Sequence, residues 1–406
     1  MAGAAGRIRK AWAEAGPGLD RWLIRLIVFG IFLRFILLWT TFGSNDTRYW
    51  GNFADSVLAR GLIGAYQEHE FLNYPPLATM MVTGLRWIAE TSGAWFPALL
   101  RLPAVIADLV AIGLLYRYWL PKGRRMALTV AAAYALAPIV ILSSAYHGNT
   151  DTIYAVALLA SVILLSKDRG LAAGLVFAFA INIKLVPLIV GPALLVAAWQ
   201  RKQHIAFLAG SATGLIGFAP LVLTKPGLLV TNIVGYLPNP TQWGLSGLSS
   251  VFPDVVTLAE LASIIENNVR IVLLVVTIGG LIICIMRGQR DPVRLAVWPT
   301  MAFLAYTPTV APQHIIIAAG LIFAADIGWA VGWTLATSAY AIAVYLFHLD
   351  PVLRPFVSAF YGAVDAWVVG LGFVALITSA IAGWQVSMTV APDDGSRELD
   401  EVNANR

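Results

Sequence analysis

Trp22–Thr41, WLIRLIVFGIFLRFILLWTT, followed at once by Phe42-Gly43-Ser44-Asn45-Asp46-Thr47, is the stretch that decides the fold. A helix needs roughly 20 apolar residues to cross the ~30 Å hydrocarbon core of a bilayer, and this run has that length. No small-residue cleavage site follows it, so it reads as a retained span rather than a cleaved signal. Arg7, Arg9, Lys10, Arg21 and Arg25 lie at its start, which orients the N-terminus to the cytoplasm. The polar stretch at Asp46 then emerges on the opposite side.

The same pattern continues along the chain. Its 406 residues are 59 % hydrophobic and only 12 % charged, a balance foreign to soluble domains. The expectation is an all-α polytopic membrane protein with about twelve transmembrane helices and amphipathic helices on the outer face. Residues 1–390 form one membrane domain, and 391–406 a short polar cytoplasmic tail. Basic groups recur at Arg117/Lys122/Arg124/Arg125, Lys167/Arg169, Arg201/Lys202 and Arg287/Arg290/Arg294, in alternate loops. That alternation accounts for the net charge of +5, so nucleic acid is not an expected partner; membrane lipids are. The single cysteine, Cys284, sits in an apolar run, and no intrachain disulfide is possible.

The unusual polar residues collect on the other face. An ionisable group at membrane depth is costly and generally serves a function. Asp46 either caps the helix expected over Thr47–Leu58 or acts as a base toward a hydroxyl, with Asn45 beside it. Asn73-Tyr74-Pro75-Pro76 is either a plain turn or a rigid wall carrying Tyr74 toward a ligand. In Tyr146-His147-Gly148-Asn149-Thr150-Asp151 a tight glycine turn aims several donors and acceptors at one point. Asp151 there can cap the following helix or join a site. No metal is expected, because no HxxxH or HExxH spacing occurs.

Lys184 splits Leu171–Trp199 and either snorkels to headgroups or binds phosphate as a point charge. Arg34 poses the choice between a packing partner and a phosphate contact, and Arg101 is a further cationic candidate. His314 opens a late apolar helix, where helix N–H groups attract anions. Tyr236, Gln242 and Trp243 belong to a turn-rich aromatic segment expected to contact sugar or acceptor, or to sit in the interfacial aromatic belt.

Taken in order, Gly43-Ser44-Asn45-Asp46, Asn73-Tyr74-Pro75-Pro76-Leu77, Tyr146–Thr152 and Gln313-His314 resemble the motifs of the GT-C superfamily of polytopic glycosyltransferases. The first segment looks like the dolichyl-phosphate-glucose-dependent glucosyltransferases and is also similar to bacterial polyprenyl-phosphate-mannose-dependent mannosyltransferases. The resemblance implies a GT-C fold and an inverting hexosyltransferase. Its donor would be a polyprenyl-phosphate-linked sugar, mannose before glucose, and its acceptor an outer-face glycolipid or lipid-linked glycan. The setting implied is a bacterial plasma membrane with the active site on the non-cytoplasmic side. By the same resemblance Asp46 is the catalytic base, Lys184, His314 and Arg101 contact the donor phosphate, and His147 and Asn149 line the sugar site. Two departures stand out: Asn73 replaces the aspartate of the glucosyltransferase Asp-Tyr-Pro-Pro element, and Gln313-His314 replaces its late His-Glu pair. The alternative class is a secondary transporter or lipid flippase, which requires charged or broken-helix sites near the midplane and commonly paired repeats.

Overall fold

The computed structural model describes residues 18–236, 244–252, 254–307, 310–345 and 361–390, and every regular element among them is helical. The tail expected at 391–406 lies outside the described residues. Helix α1 (Gly18–Thr40) is apolar all round. Its narrow stripe Leu23, Gly30, Arg34 and Leu38 is buried, while Val28, Phe29, Phe32 and Trp39 point outward. A helix that leaves large apolar side chains facing outward over its length is adapted to lipid.

Among the described residues, six helices are long and apolar enough to cross a membrane: α1, Phe96–Lys122, His204–Thr224, Val269–Met286, Ile327–Tyr345 and Ala366–Met388. A seventh is counted if Arg124–Leu136 and Pro138–Tyr146, bent by 58° at Ala137, form one span. The expectation of an all-α polytopic membrane protein therefore holds, but helix length does not establish the number twelve. Four further apolar helices are short: Asp151–Ser166, Gly170–Ile183, Val186–Gln200 and Pro312–Ala325. At 1.5 Å per residue, a 14-residue helix spans about 21 Å, short of the ~30 Å core.

Two of the short helices, Asp151–Ser166 and Pro312–Ala325, are also the most enclosed. Every residue of Ile316–Ala325 is buried, as are most of Asp151–Ser166. They sit inside a palisade of longer helices, where an irregular break is tolerated because protein rather than lipid surrounds it. Gly170–Ile183 and His204–Ala212 pack so closely that a Cβ on Gly174 would strike Phe207 O, and one on Gly210 would strike Leu171 O. Such small-residue contacts are how membrane helices gain packing energy without a hydrophobic drive between them.

Between α1 and helix α4 (Phe96–Trp119) lie two helices of a different kind. Helix α2 (Asp46–Glu68), kinked at Gly61, runs ten residues beyond the expected Leu58 end. Helix α3 (Pro76–Ser92) begins at Pro76, the position where proline suits a first turn. Trp50, Phe53, Ala54 and Val57 of α2 are buried, while Tyr49 and Leu58 are exposed. The two helices are tied at their surface by Arg86, whose Nε donates to Asp55 Oδ1 at 2.7 Å.

The polar residues separate by end. Asp20, at the start of α1, lies 3.6 Å from Arg124 and 3.4 Å from Arg125. Arg201 Nε donates to Asp168 at 2.7 Å and Arg201 Nη2 to Ser166 O at 2.8 Å. Asp46 follows the far end of α1, about 35 Å away along the 23-residue helix. The basic turns and the Asp46 loop therefore occupy opposite ends of the bundle.

Candidate functional site

The end that carries Asp46 is assembled from two loops that close on each other. Ser44 N donates to His147 O at 3.2 Å, and Ser44 Oγ donates to the same carbonyl. The approach requires glycine on both sides. Gly43 (φ 92°) and Gly148 (φ 82°) sit in the left-handed region, and a Cβ on either would collide with Thr47 Oγ1. The loop after α1 is thereby pressed against the turn 146–151, which carries three of the expected site residues.

Asp46 does not cap α2. It lies in the first turn, and Asn45, the residue before it, makes no side-chain cap bond. The Asp46 carboxylate instead accepts from Asn149 Nδ2 at 2.6 Å, and His147 Nε2 lies 3.1 Å from the same oxygen, Oδ2. Asp151 does not cap its helix either: Lys184 Nζ donates to Asp151 Oδ1 at 2.7 Å. Both capping readings give way because a partner on another element is within reach, and a charged partner stabilises a carboxylate more than a backbone N–H does.

Asn149 joins the two halves. Its Nδ2 also reaches Tyr74 Oη at 3.0 Å, and its Oδ1 accepts from Thr150 N at 2.6 Å. The Tyr74 ring stacks on Trp50 at 4.3 Å, and Lys184 Nζ stands 5.3 Å above its centre. Lys184 holds this place because the chain breaks there: the residue is extended (φ −158°, ψ 147°) between Gly170–Ile183 and Val186–Val190.

The electrostatics favour an ionised Asp46. Burial raises its pKa, but the His147 ring, Lys184 and the Asn149 amide together outweigh burial and hold it below the ordinary carboxylate value. Burial, reinforced by the Asp46 and Asp151 carboxylates, pushes the Tyr74 phenol well above its usual value, so it stays protonated.

His314 faces Lys184 in an arrangement with a clear tautomeric consequence. Ala311 N–H donates to His314 Nδ1 at 3.3 Å, so a neutral ring carries its proton on Nε2. That Nε2 lies 3.4 Å from Lys184 Nζ, and the ammonium has only donors to offer. Two donors turned toward each other make a cleft for an anion, which can accept from both.

Asp46, Tyr74, His147, Asn149, Asp151, Lys184 and His314 thus meet in one chamber. Tyr236 is half-buried within electrostatic reach of Asp46. Asn45 is exposed and contributes its carbonyl, which accepts from Arg48 N at 3.0 Å. Gln242 and Trp243 lie outside the described residues. Arg101 is the correction: its guanidinium is fully buried and committed to the scaffold. Nε donates to Pro97 O, Nη1 to Leu37 O, Thr41 Oγ1 and Ala145 O, and Nη2 to Leu38 O and Thr41 O. These contacts saturate the C-terminal carbonyls of α1 and leave no donor for a phosphate.

Arg34 is a packing partner. Its Nε donates to Asp108 Oδ2 at 2.5 Å, and its Nη1 to Gly30 O and Ala135 O. Sequence reasoning missed Asp108, although an acid inside the apolar run of α4 was a readable signal. It also missed Tyr154 and Tyr345, whose buried hydroxyls have no hydrogen-bond partner among the described residues. Thr47 Oγ1, Asp151 Oδ2 and Thr152 Oγ1 are in the same condition. A buried polar atom left unpaired costs about 1–3 kcal/mol, so such a group of them around one space marks a place for a polar ligand. Among the described residues, no group of three or more His, Cys, Asp or Glu is placed to hold a metal ion.

The chain was compared with known proteins. The model of Glycosyltransferase family 87 matches residues 71–308, a range that includes Tyr74, His147, Asn149, Asp151 and Lys184 but neither Asp46 nor His314. A search of curated proteins gave no match. Among solved structures, ArnT from Cupriavidus metallidurans bound to undecaprenyl phosphate superposes with a TM-score of 0.52 at 15 % identity, over 92 % of this chain and 77 % of that one. ArnT from the same organism in the apo state gives 0.52 at 17 % identity, over 90 % and 76 %. At such identity the likeness is one of fold.

Proposed function

The chain belongs to glycosyltransferase family 87, and from that premise we propose that it transfers a hexose from a polyprenyl-phosphate carrier to an outer-face acceptor, with inversion at the anomeric carbon. The observation that carries this reading is that the Asp46 carboxylate and the Lys184/His314 pair of donors belong to one polar cluster, joined through Asn149 and Tyr74. The GT-C resemblance of the motifs supports it, as does the fold shared with ArnT, a protein solved with undecaprenyl phosphate bound. Family membership sets the transporter alternative aside.

In this reading the donor phosphate accepts hydrogen bonds from Lys184 Nζ and His314 Nε2, and the sugar lies between them and Asp46. Asp46 takes the proton of the acceptor hydroxyl as its oxygen attacks the anomeric carbon. The bond to the phosphate oxygen breaks on the opposite side, and its electron pair leaves on polyprenyl phosphate. Lys184 and His314 stabilise that growing charge. Tyr74, held by Trp50 and Asn149, walls the sugar site, and His147 keeps Asp46 oriented.

The isoprenoid tail needs an apolar path open to the bilayer, since each exposed methylene costs about 0.8 kcal/mol. A cavity of about 310 Å3 between Pro292–Tyr306 and Tyr361–Met388, lined by Trp298, Met301, Tyr306, Ile381 and Trp384, has the right chemistry. It runs along the helix whose Phe303 ring packs 6.2 Å from His314. Mannose is favoured over glucose, a glycolipid or lipid-linked glycan is the acceptor, and the chamber faces the non-cytoplasmic side of a bacterial plasma membrane.

The test is transfer by the purified protein from polyprenyl-phosphate mannose, with the glucose donor in parallel, to a membrane lipid extract, read by mass spectrometry. Asp46→Asn should lose transfer while still binding a non-transferable donor analogue. Unchanged turnover in that variant would remove Asp46 from its role, and no transfer from either donor would remove the donor class.

A further inference from the structure

One buried phenol faces the chamber and takes no part in the steps above. Tyr345 lies in the last described turn of the helix Ile327–Tyr345. Its ring lies 5.3 Å from that of His147, tilted by 40°, and 5.7 Å from that of Tyr146. The side chain is fully buried, yet its hydroxyl has no hydrogen-bond partner among the described residues. Phenylalanine would fill the same volume without the desolvation cost of an unmet hydroxyl, so packing does not explain the oxygen.

Position says what it faces. The His147 ring that it lies against holds its Nε2 3.1 Å from Asp46 Oδ2, which sets Tyr345 beside the base. Asp151 holds Lys184, and Lys184 meets His314. A group beside the base therefore borders the place that the donor reading gives to the sugar. A phenol both donates and accepts, as a sugar hydroxyl does.

We propose that Tyr345 Oη hydrogen-bonds a ring hydroxyl of the transferred sugar and helps decide which hexose is transferred. The inference rests on the donor reading given above. Its energetic logic is that of any buried polar pocket: a substrate that lacks the matching hydroxyl leaves the protein group unpaired and is rejected.

The experiment compares wild type with Tyr345→Phe on polyprenyl-phosphate mannose and on each of its monodeoxy analogues, or on the glucose series if glucose is the better donor. With the parent sugar, Tyr345→Phe should lower kcat/KM roughly 5- to 150-fold, the range expected when one buried partner is lost. With one deoxy donor that penalty should vanish, while the unfolding temperature of the variant does not fall. A penalty of equal size on every donor overturns the contact and leaves the donor reading intact, as does no penalty at all. A penalty relieved only by a deoxygenated acceptor also overturns it. Absence of wild-type transfer from any polyprenyl-phosphate hexose overturns the donor reading and this inference together.

Discussion

Two polar regions lie one above the other at the Asp46 end of the bundle, and they are satisfied to different degrees. The lower one is a cradle. Arg34 pairs with Asp108, Ser144 Oγ donates to the same Asp108 oxygen at 2.9 Å, and Arg101 spreads its donors over carbonyls of α1, α4 and Ala145. The upper one is the chamber, where Thr47, Asp151, Thr152, Tyr154 and Tyr345 keep buried oxygens unpaired. Both contain buried cations and carboxylates, so residue type does not separate them. The partners do: Arg34 and Asp108 each keep one atom unpaired among the described residues but are held by each other, whereas the single hydroxyls of Thr47, Thr152, Tyr154 and Tyr345 have no partner there at all.

Substitutions can break or sharpen that contrast. The largest effect is expected at Asp46. Asp46→Asn should lower turnover by roughly 10^2- to 10^4-fold, the range for losing a general base, with little change in unfolding temperature. A drop in folded yield equal to that of a cradle variant would move Asp46 into the scaffold.

The pH dependence of that residue carries its own sign. Its folded pKa is depressed, so the carboxylate is ionised above the unfolded value of 3.8 and is lost only as pH falls below that value, through the folded one. Its contribution to stability and to turnover is therefore complete across the neutral range and disappears only in strong acid.

In the cradle the expectation reverses. Asp108→Asn leaves the Arg34 charge buried and unpaired and should cost about 3–5 kcal/mol of stability, seen as a lower unfolding temperature and poor yield. The double change Arg34→Leu, Asp108→Leu removes both charges and should recover most of that loss. If the double variant folds but has lost donor binding, the pair belongs to the chamber after all.

Lys184→Ala and His314→Ala should each weaken a non-transferable polyprenyl-phosphate sugar analogue by roughly 10- to 150-fold, the size of one charge-assisted hydrogen bond. Equal binding by both variants and wild type would relocate the phosphate. The smallest effect is expected at the rim: Arg86→Ala, which breaks the half-exposed pair with Asp55, should change stability by about 0.2–1 kcal/mol and leave transfer unaltered.

Much of this architecture was legible in the residues, and the reasons differ by element. Val269–Met286 is legible at the bounds it has, because an unbroken apolar run between polar loops leaves no alternative. The apolar run Met126–Ser143 is less readable, since Ala137-Pro138 bends it and a π-helical turn finishes it. Lys184, His147 and Asp151 stood out as polar residues at span ends. That Gly43 and Gly148 let two loops close, and so bring Asn149 to Asp46, depends on tertiary contact and has no one-dimensional signature. Arg101 looked like Lys184 in the sequence, because both are lone cations near an outer helix end. Only the carbonyls around Arg101 tell them apart. Tyr345 gave no signal, as a tyrosine at the end of a span ordinarily reads as an interfacial anchor.

The enclosed helix Ile316–Ala325 has a bearing on how the protein is made. It is too short to rest alone across a bilayer and has no face left for lipid once packed. During synthesis it must wait for company, and it brings His314 with it. Tyr345 arrives later still, 31 residues after His314. The chamber is a product of the last segments settling among the first, so a nascent chain that already carries Asp46, Asn149 and Lys184 is still an unarmed transferase.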